Sequence, residues 1–183
     1  TTSGGGLEAL AIDTTAAVTN VTDDSDATTV TLTATPSVAE GGTIVYTATL
    51  TNAAQTAVTV TLSSGQTIGI AAGATSGTVS IPAPTDDPYI DAGSVSRTIT
   101  SASGGNFESL VVNPVAATTT VSDTIDVTTA TLTATPSVAE GGTITYTVSL
   151  TAPVTGSAVA VTLANGQAIN IAVGSSSGSV TSA

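Results

Sequence analysis

Thr31-Leu-Thr-Ala-Thr-Pro-Ser-Val-Ala-Glu-Gly-Gly-Thr-Ile44 stands twice in this chain, returning without a change at Thr131 to Ile144. An offset of 100 residues is the size of a domain, so the chain reads as an array in which each copy is one structural unit. The echo extends outward on both sides. Ser3-Gly4-Gly5, Glu8 and Leu10 reappear at Ser103-Gly104-Gly105, Glu108 and Leu110, and Val21-Thr22-Asp23 returns as Val121-Ser122-Asp123. Beyond Leu150 the offset becomes 101, with Val60-Thr61-Leu62 matching Val161-Thr162-Leu163. The extra residue marks a loop at Thr151 to Ser157. Three segments are expected: residues 1–27, the last strand and linker of one repeat; 28–127, a complete repeat; and 128–183, the first part of a following repeat. On this reading the sequence is a window on a longer array.

Working outward from Thr31, apolar and polar residues alternate through Val30, Leu32 and Ala34 until Pro36, which cannot donate to a strand ladder. Glu40-Gly41-Gly42 supplies a turn into Thr43 to Thr51, where Ile44, Tyr46, Ala48 and Leu50 share a face. Further strands are expected at Val58 to Leu62, around Ile68 and Ile70, and around Val79 and Ile81. Pro82 and Pro84 then open a long loop, 82–93. A sixth strand runs near Ser94 to Ser101, and a seventh from Phe107 to Ser122 with a bend at Pro114. No helical period appears. Seven short strands in about a hundred residues, separated by regular turn signals, predict an all-β fold: an antiparallel β-sandwich of immunoglobulin type. Arg97 is the misfit, because it alternates onto the apolar face of Val95 and Ile99; an edge position with a snorkelling side chain is expected. Tyr46 and Tyr146 are expected in the core.

Composition excludes several functions. Only 8% of the 183 residues are charged, with 13 acids against one base and a net charge of −12. Nucleic acid and anionic membrane, which require clustered Lys and Arg, are not expected partners. No apolar run is long enough for membrane insertion. With no His, Cys or Lys, the serines have no activating base, and enzymatic function is not expected. Asp86 and Asp87 could pair as in glycoside hydrolysis, but aromatics are 2% of the chain and there is no Trp to form a sugar platform. The same shortage weighs against the alternative function, an accessory carbohydrate-binding module of a secreted protein. Ser3-Gly4-Gly5-Gly6 reads as a hairpin turn rather than a phosphate cradle, since no Lys accompanies it.

The carboxylates carry more information through topology. If the strands alternate up and down, Glu40, then Asp86, Asp87 and Asp91, then Asp123 and Asp126 gather at one pole, the one that meets the next repeat. Such a cluster repels itself unless a hard cation sits in it, and Ca²⁺ takes six to eight oxygens in loose geometry. Asp23, Asp24, Asp26 and Glu140 are the corresponding acids of the incomplete copies, expected to bind less well because partner loops are missing. Glu8 and Glu108 are expected to be solvated strand charges. The plainer alternative is that all these acids serve solubility.

Ala-Glu-Gly-Gly-Thr-Ile-Thr-Tyr-Thr-Val-Ser-Leu-Thr at 139–151 and Val-Ser-Asp-Thr-Ile-Asp at 121–126 resemble the extender repeats of giant bacterial RTX adhesins, the large adhesive proteins of biofilm formation secreted by the type I route. The resemblance covers essentially the whole chain. It implies tandem Ig-like repeats at the bacterial cell surface, stiffened by calcium at the Asp123 to Asp126 junction. It also implies neighbouring repeats of the same polypeptide as partners, with the adhesive ligand bound elsewhere. The membrane-retention module, nonapeptide calcium repeats and ligand-binding domain of that family are not in this sequence.

Overall fold

A computed structural model describes residues 5–182. Ser3 and Gly4, half of the expected glycine turn, lie outside the described residues. From Gly5 to Asp26 the chain forms no strand. The first unit then contains β1 (Ala27–Ala34), β2 (Ser37–Ala39), β3 (Thr43–Leu50), β4 (Val58–Leu62), β5 (Thr67–Ile70), β6 (Ser76–Pro82), β7 (Gly93–Arg97), β8 (Ile99–Gly104), β9 (Ser109–Val112) and β10 (Ala117–Ser122). One sheet has the order β6-β3-β1-β9; facing it are β5-β4-β8 and β2-β10-β7. The fold is all-β, and its strands alternate as the sequence pattern requires. Val30, Leu32, Ile44, Tyr46, Ala48 and Leu50 point inward against Val58, Val60, Leu62, Ile68, Ile70 and Ile99. Threonines occupy the outer positions, and Thr31 pairs with Thr49 and Thr33 with Thr47 across β1 and β3.

Three expectations are refined. The sixth strand is two strands, β7 on β10 and β8 on β4, interrupted at Thr98. The seventh is also two: β9 joins the first sheet and β10 the second, with Pro114 between them. Pairing is not antiparallel throughout, because β1 runs parallel to β9 and β2 parallel to β10. The reason is shared by both ends of the unit. Pro36 and Pro114 each lack an N–H, so each stretch must leave its ladder there, and both cross from one sheet to the other side by side. Asn113 N–H donates to Val30 O at 2.9 Å, Thr120 N–H to Pro36 O at 3.0 Å, and the fully buried Thr119 hydroxyl to Thr35 O at 2.6 Å.

Arg97 is half-buried on β7, an edge strand of its sheet, as expected. Its Nη1 donates to Ser96 O while Nε has no partner among the described residues, and its positive charge acts on the buried Tyr46 hydroxyl, which also lacks a partner. Burial raises the Tyr46 phenol above its ordinary range and Arg97 pulls it partly back.

The second unit contains β11 (Ala130–Ala134), β12 (Ile144–Leu150), β13 (Val159–Thr162), β14 (Ala168–Ile171) and β15 (Ser177–Ser182), arranged as β11-β12-β15 and β13-β14. These are the counterparts of β1, β3, β4, β5 and β6. The repeated sequence therefore appears in two contexts. Ser37–Ala39 is a strand because β10 is beside it, whereas the identical residues 137–139 are not a strand. Leu32 is 7% exposed and Leu132 52% exposed. An open apolar groove of about 430 Å³ lies where the second unit's core continues, lined by Leu132, Tyr146, Val148, Val161 and Leu163 among others.

This contrast sets an expectation for identical substitutions. Leu32→Ala should destabilise the first unit by about 2–4 kcal/mol, the usual cost of emptying a packed leucine site. Leu132→Ala should cost the second unit less than about 1 kcal/mol, because half of its side chain already meets water. Urea titrations of dilute protein followed through NMR amide signals of each unit check both; equal losses would mean that β11 is covered.

Candidate metal centre

The acidic pole is built by the sheet order β2-β10-β7, in which each strand delivers one carboxylate just past its end. Glu40 follows β2, and its N–H donates to Ser122 O of β10 at 3.0 Å. Asp91 precedes β7 and Asp123 follows β10; extending the Val121 to Gly93 register by two residues sets them opposite each other. Carboxylate oxygens of Glu40, Asp91 and Asp123 all lie within 4.8 Å of one another.

The turn that carries Glu40 is fixed twice. Gly41 has a φ of +67°, and a Cβ on Gly42 would meet Val38 Cγ2 at 2.5 Å, so both glycines are required. Gly41 N–H donates to Pro84 O at 2.7 Å and Ala83 N–H to Gly42 O at 2.9 Å, clamping the turn beneath the long loop. Glu40 is consequently only 6% exposed. In the second copy the local turn survives, with Gly141 at φ +77° and Gly142 N–H bonded to Ala139 O, yet Glu140 is exposed. Local sequence makes the turn, and β10 with the long loop buries the acid.

The other expected ligands are distributed around this trio. Asp86 accepts a hydrogen bond from the Thr124 hydroxyl, and Asp87 Oδ1 accepts the Tyr89 N–H at 2.9 Å. Both stand outside the closest group, although the charge of Asp87 still acts on Glu40. Asp126 is exposed and outside the closest group, but it lines a cavity with Asp123, Pro88, Tyr89, Ile90, Thr124 and Ile125. Asp23, Asp24 and Asp26 are exposed and outside the trio, as is Glu140. Glu108 has a role the sequence reading missed: its Oε2 accepts the Asp26 N–H at 2.6 Å, tying the entry of β1 to the entry of β9.

Electrostatically the trio is unbalanced. Oε2 of Glu40 and Oδ1 of Asp123 are buried with no hydrogen-bond partner among the described residues. The single Lys or Arg side chain of the protein, Arg97, donates to Ser96 O, and its charge acts on Tyr46. Glu40 is pushed up from 4.5 to about 7, first by the hydrogen bond it shares with Asp91, then by burial, then by the charges of Asp91, Asp123 and Asp87. A proton or a cation would relieve this imbalance. Three carboxylates supply six oxygens at the ends of irregular segments, which suits the variable coordination of Ca²⁺ better than the strict octahedron of Mg²⁺.

The LapA domain matches residues 26–124 and, a second time, residues 126–183. The chain belongs to the LapA domain family. LapA is the large adhesin of biofilm formation, so the chain is related to adhesins, a family of adhesion rather than catalysis. The two matches abut at residue 125, between the acidic pole of the first unit and the start of the second. A search of curated proteins finds no match.

A raised carboxyl fixes the sign of a pH effect. In protein stripped of divalent cations, the stabilisation associated with protonated Glu40 is complete below about pH 4.5 and is lost as pH rises through about 7. Thermal melting between pH 4.5 and 8 should show that decline in the native sequence and a flatter profile in Glu40→Gln. Parallel profiles would mean that Glu40 is not the group that titrates.

Proposed function

We propose that this LapA-family chain is a spacer segment of a bacterial cell-surface adhesin, extending an adhesive tip away from the cell, with Ca²⁺ at the junction between successive units. The observation that carries the reading is the convergence of Glu40, Asp91 and Asp123, with buried unpartnered oxygens, beside the residues that lead into the next unit. Calcium would be held by these three carboxylates, with Asp87 adding charge from behind. When bound, it removes the mutual repulsion of the acids and draws together the ends of β2 and β10 and the loop before β7.

That loop also reaches the following unit, because the Tyr89 hydroxyl donates to Pro153 O at 3.0 Å. Asp91 is two residues away. A cation that fixes Asp91 consequently fixes the segment carrying Tyr89, and with it the angle between units. The mechanism is mechanical: a flexible acidic hinge becomes stiff when its charges are bridged. Binding of sugars by aromatic stacking finds little support, since Tyr46 is buried and Tyr89, Phe107 and Tyr146 are half-buried.

Small-angle scattering of the full chain at neutral pH tests the reading. The longest dimension should grow on addition of Ca²⁺ and fall with chelator. Glu40→Gln combined with Asp123→Asn should weaken calcium binding roughly tenfold or more, since ligand charge sets the affinity of such sites. Tyr89→Phe should retain calcium affinity but lose part of the extension. A scattering profile indifferent to calcium, with calorimetry showing that it binds, would remove the stiffening role while leaving the site.

A further inference from the structure

Next to the trio of acids lies a cavity with mixed walls. It measures about 430 Å³; Pro88, Tyr89 and Ile90 of the long loop form one wall, and the chain leaving β10, from Asp123 to Asp126, forms the other. Every lining residue lies well inside the sequence, and the walls are tied together by the Thr124 hydroxyl, which donates to Asp86 of the same loop. Ile90 and Ile125 are 94% and 93% exposed. Single exposed isoleucines are ordinary on a protein surface, but here two line one cavity together with a half-buried tyrosine.

The polar part of the lining offers acceptors and no donor. Asp123 Oδ1 is buried with no hydrogen-bond partner among the described residues, and Asp126 presents a second carboxylate from the exposed chain. Thr124 spends its hydroxyl hydrogen on Asp86, which leaves its oxygen free only to accept. The Tyr89 hydroxyl is likewise committed to Pro153 O. The sequence has no Lys, and its single Arg, Arg97, donates to Ser96 O on β7, so no cationic side chain of this sequence balances these carboxylates.

We infer that this cavity binds an alkylammonium ion, a primary amine on a hydrocarbon stem, with its head among Asp123, Thr124 and Asp126 and its stem against Ile90, Ile125 and the Tyr89 ring. An ammonium head carries three donors and no acceptor, which matches three acceptor residues. A planar guanidinium fork is suited instead to the two oxygens of one carboxylate. The stem removes the two isoleucines from water, and a cation close to a tyrosine face gains a further attraction. A bare metal ion would leave the isoleucines wet, and a neutral alcohol would leave the carboxylate charges unbalanced.

The amine site and the metal centre share Asp123 and nothing else. Glu40 and Asp91 belong to the trio alone, whereas Asp126 and both isoleucines line the cavity alone. Each site can therefore be altered without touching the other, and the amine site does not depend on calcium being the ion that the trio holds. Because the cavity is walled by the loop that carries Tyr89 and by the residues leading into the second unit, an occupant would hold those two segments together.

Chemical-shift mapping of the full chain by NMR, near neutral pH in about 0.15 M salt without divalent cations, tests this. Pentylammonium should give saturable shifts at Tyr89, Ile90, Thr124 and Ile125. Methylammonium, the head without the stem, and 1-pentanol, the stem without the head, should each bind at least about tenfold more weakly. Asp126→Asn and Ile125→Ala both alter exposed side chains, and each should weaken pentylammonium by about threefold or more while calorimetry shows calcium binding close to native. Glu40→Gln should do the reverse. Spermidine binding more tightly than Nα-acetyl-lysine methylamide identifies free polyamines as the source of the ammonium group; the opposite order identifies a lysine of a partner protein. Methylammonium binding as well as pentylammonium, shifts confined to residues away from the cavity, or binding that survives both variants would each overturn the inference, whatever calcium does.

Discussion

Parallel pairing of a unit's first and last strands, β1 with β9 and β2 with β10, is the contact on which the rest of the structure depends. It closes the sandwich by joining chain segments some eighty residues apart, and both sheets take part because both segments cross at a proline. The pairing also determines where each segment emerges. β2 and β10 end side by side at the far pole, so Glu40 and Asp123 are adjacent before any loop folds over them. β7, antiparallel to β10, begins at that pole and brings Asp91.

The two copies of the Thr31 to Ile44 sequence separate local from non-local causes. The glycine turn after residue 40 or 140 forms in both, because Gly41 and Gly141 supply the positive φ whatever surrounds them. The short strand before it forms only where β10 is present, and only there is the glutamate buried. The charge chemistry of the pole is thus a consequence of closing the sheet. Burying Glu40 among acids is unfavourable in isolation, and it persists because the turn is clamped to Pro84, Ala83 and Ser122.

Much of this was legible in the residues themselves. Alternation gave the strands and the inward faces, and counting strand reversals gathered Glu40, Asp91 and Asp123 at one pole. Counting could not separate those three from Asp86, Asp87 and Asp126, since a loop's residues share a pole without sharing a direction. The parallel pairs were hidden because Pro36 and Pro114 read as the end of a strand and a bend in one; that both mark a crossing depends on the two segments being neighbours in space. Glu108 is exposed, as a solvated strand charge should be, but its partner is the Asp26 backbone N–H, which leaves no trace in composition. Arg97 alternates with Val95 along the sequence, but its relation to the Tyr46 hydroxyl requires the two sheets to be assembled.

Anomalous diffraction from crystals of the full chain grown with Ca²⁺ tests most directly the proposed cation held by three strands at the far pole. The predicted result is one strong peak coordinated by Glu40, Asp91 and Asp123, with no comparable peak at the exposed Glu140. A pole without density, or calcium bound instead among Asp23, Asp24 and Asp26, would contradict it.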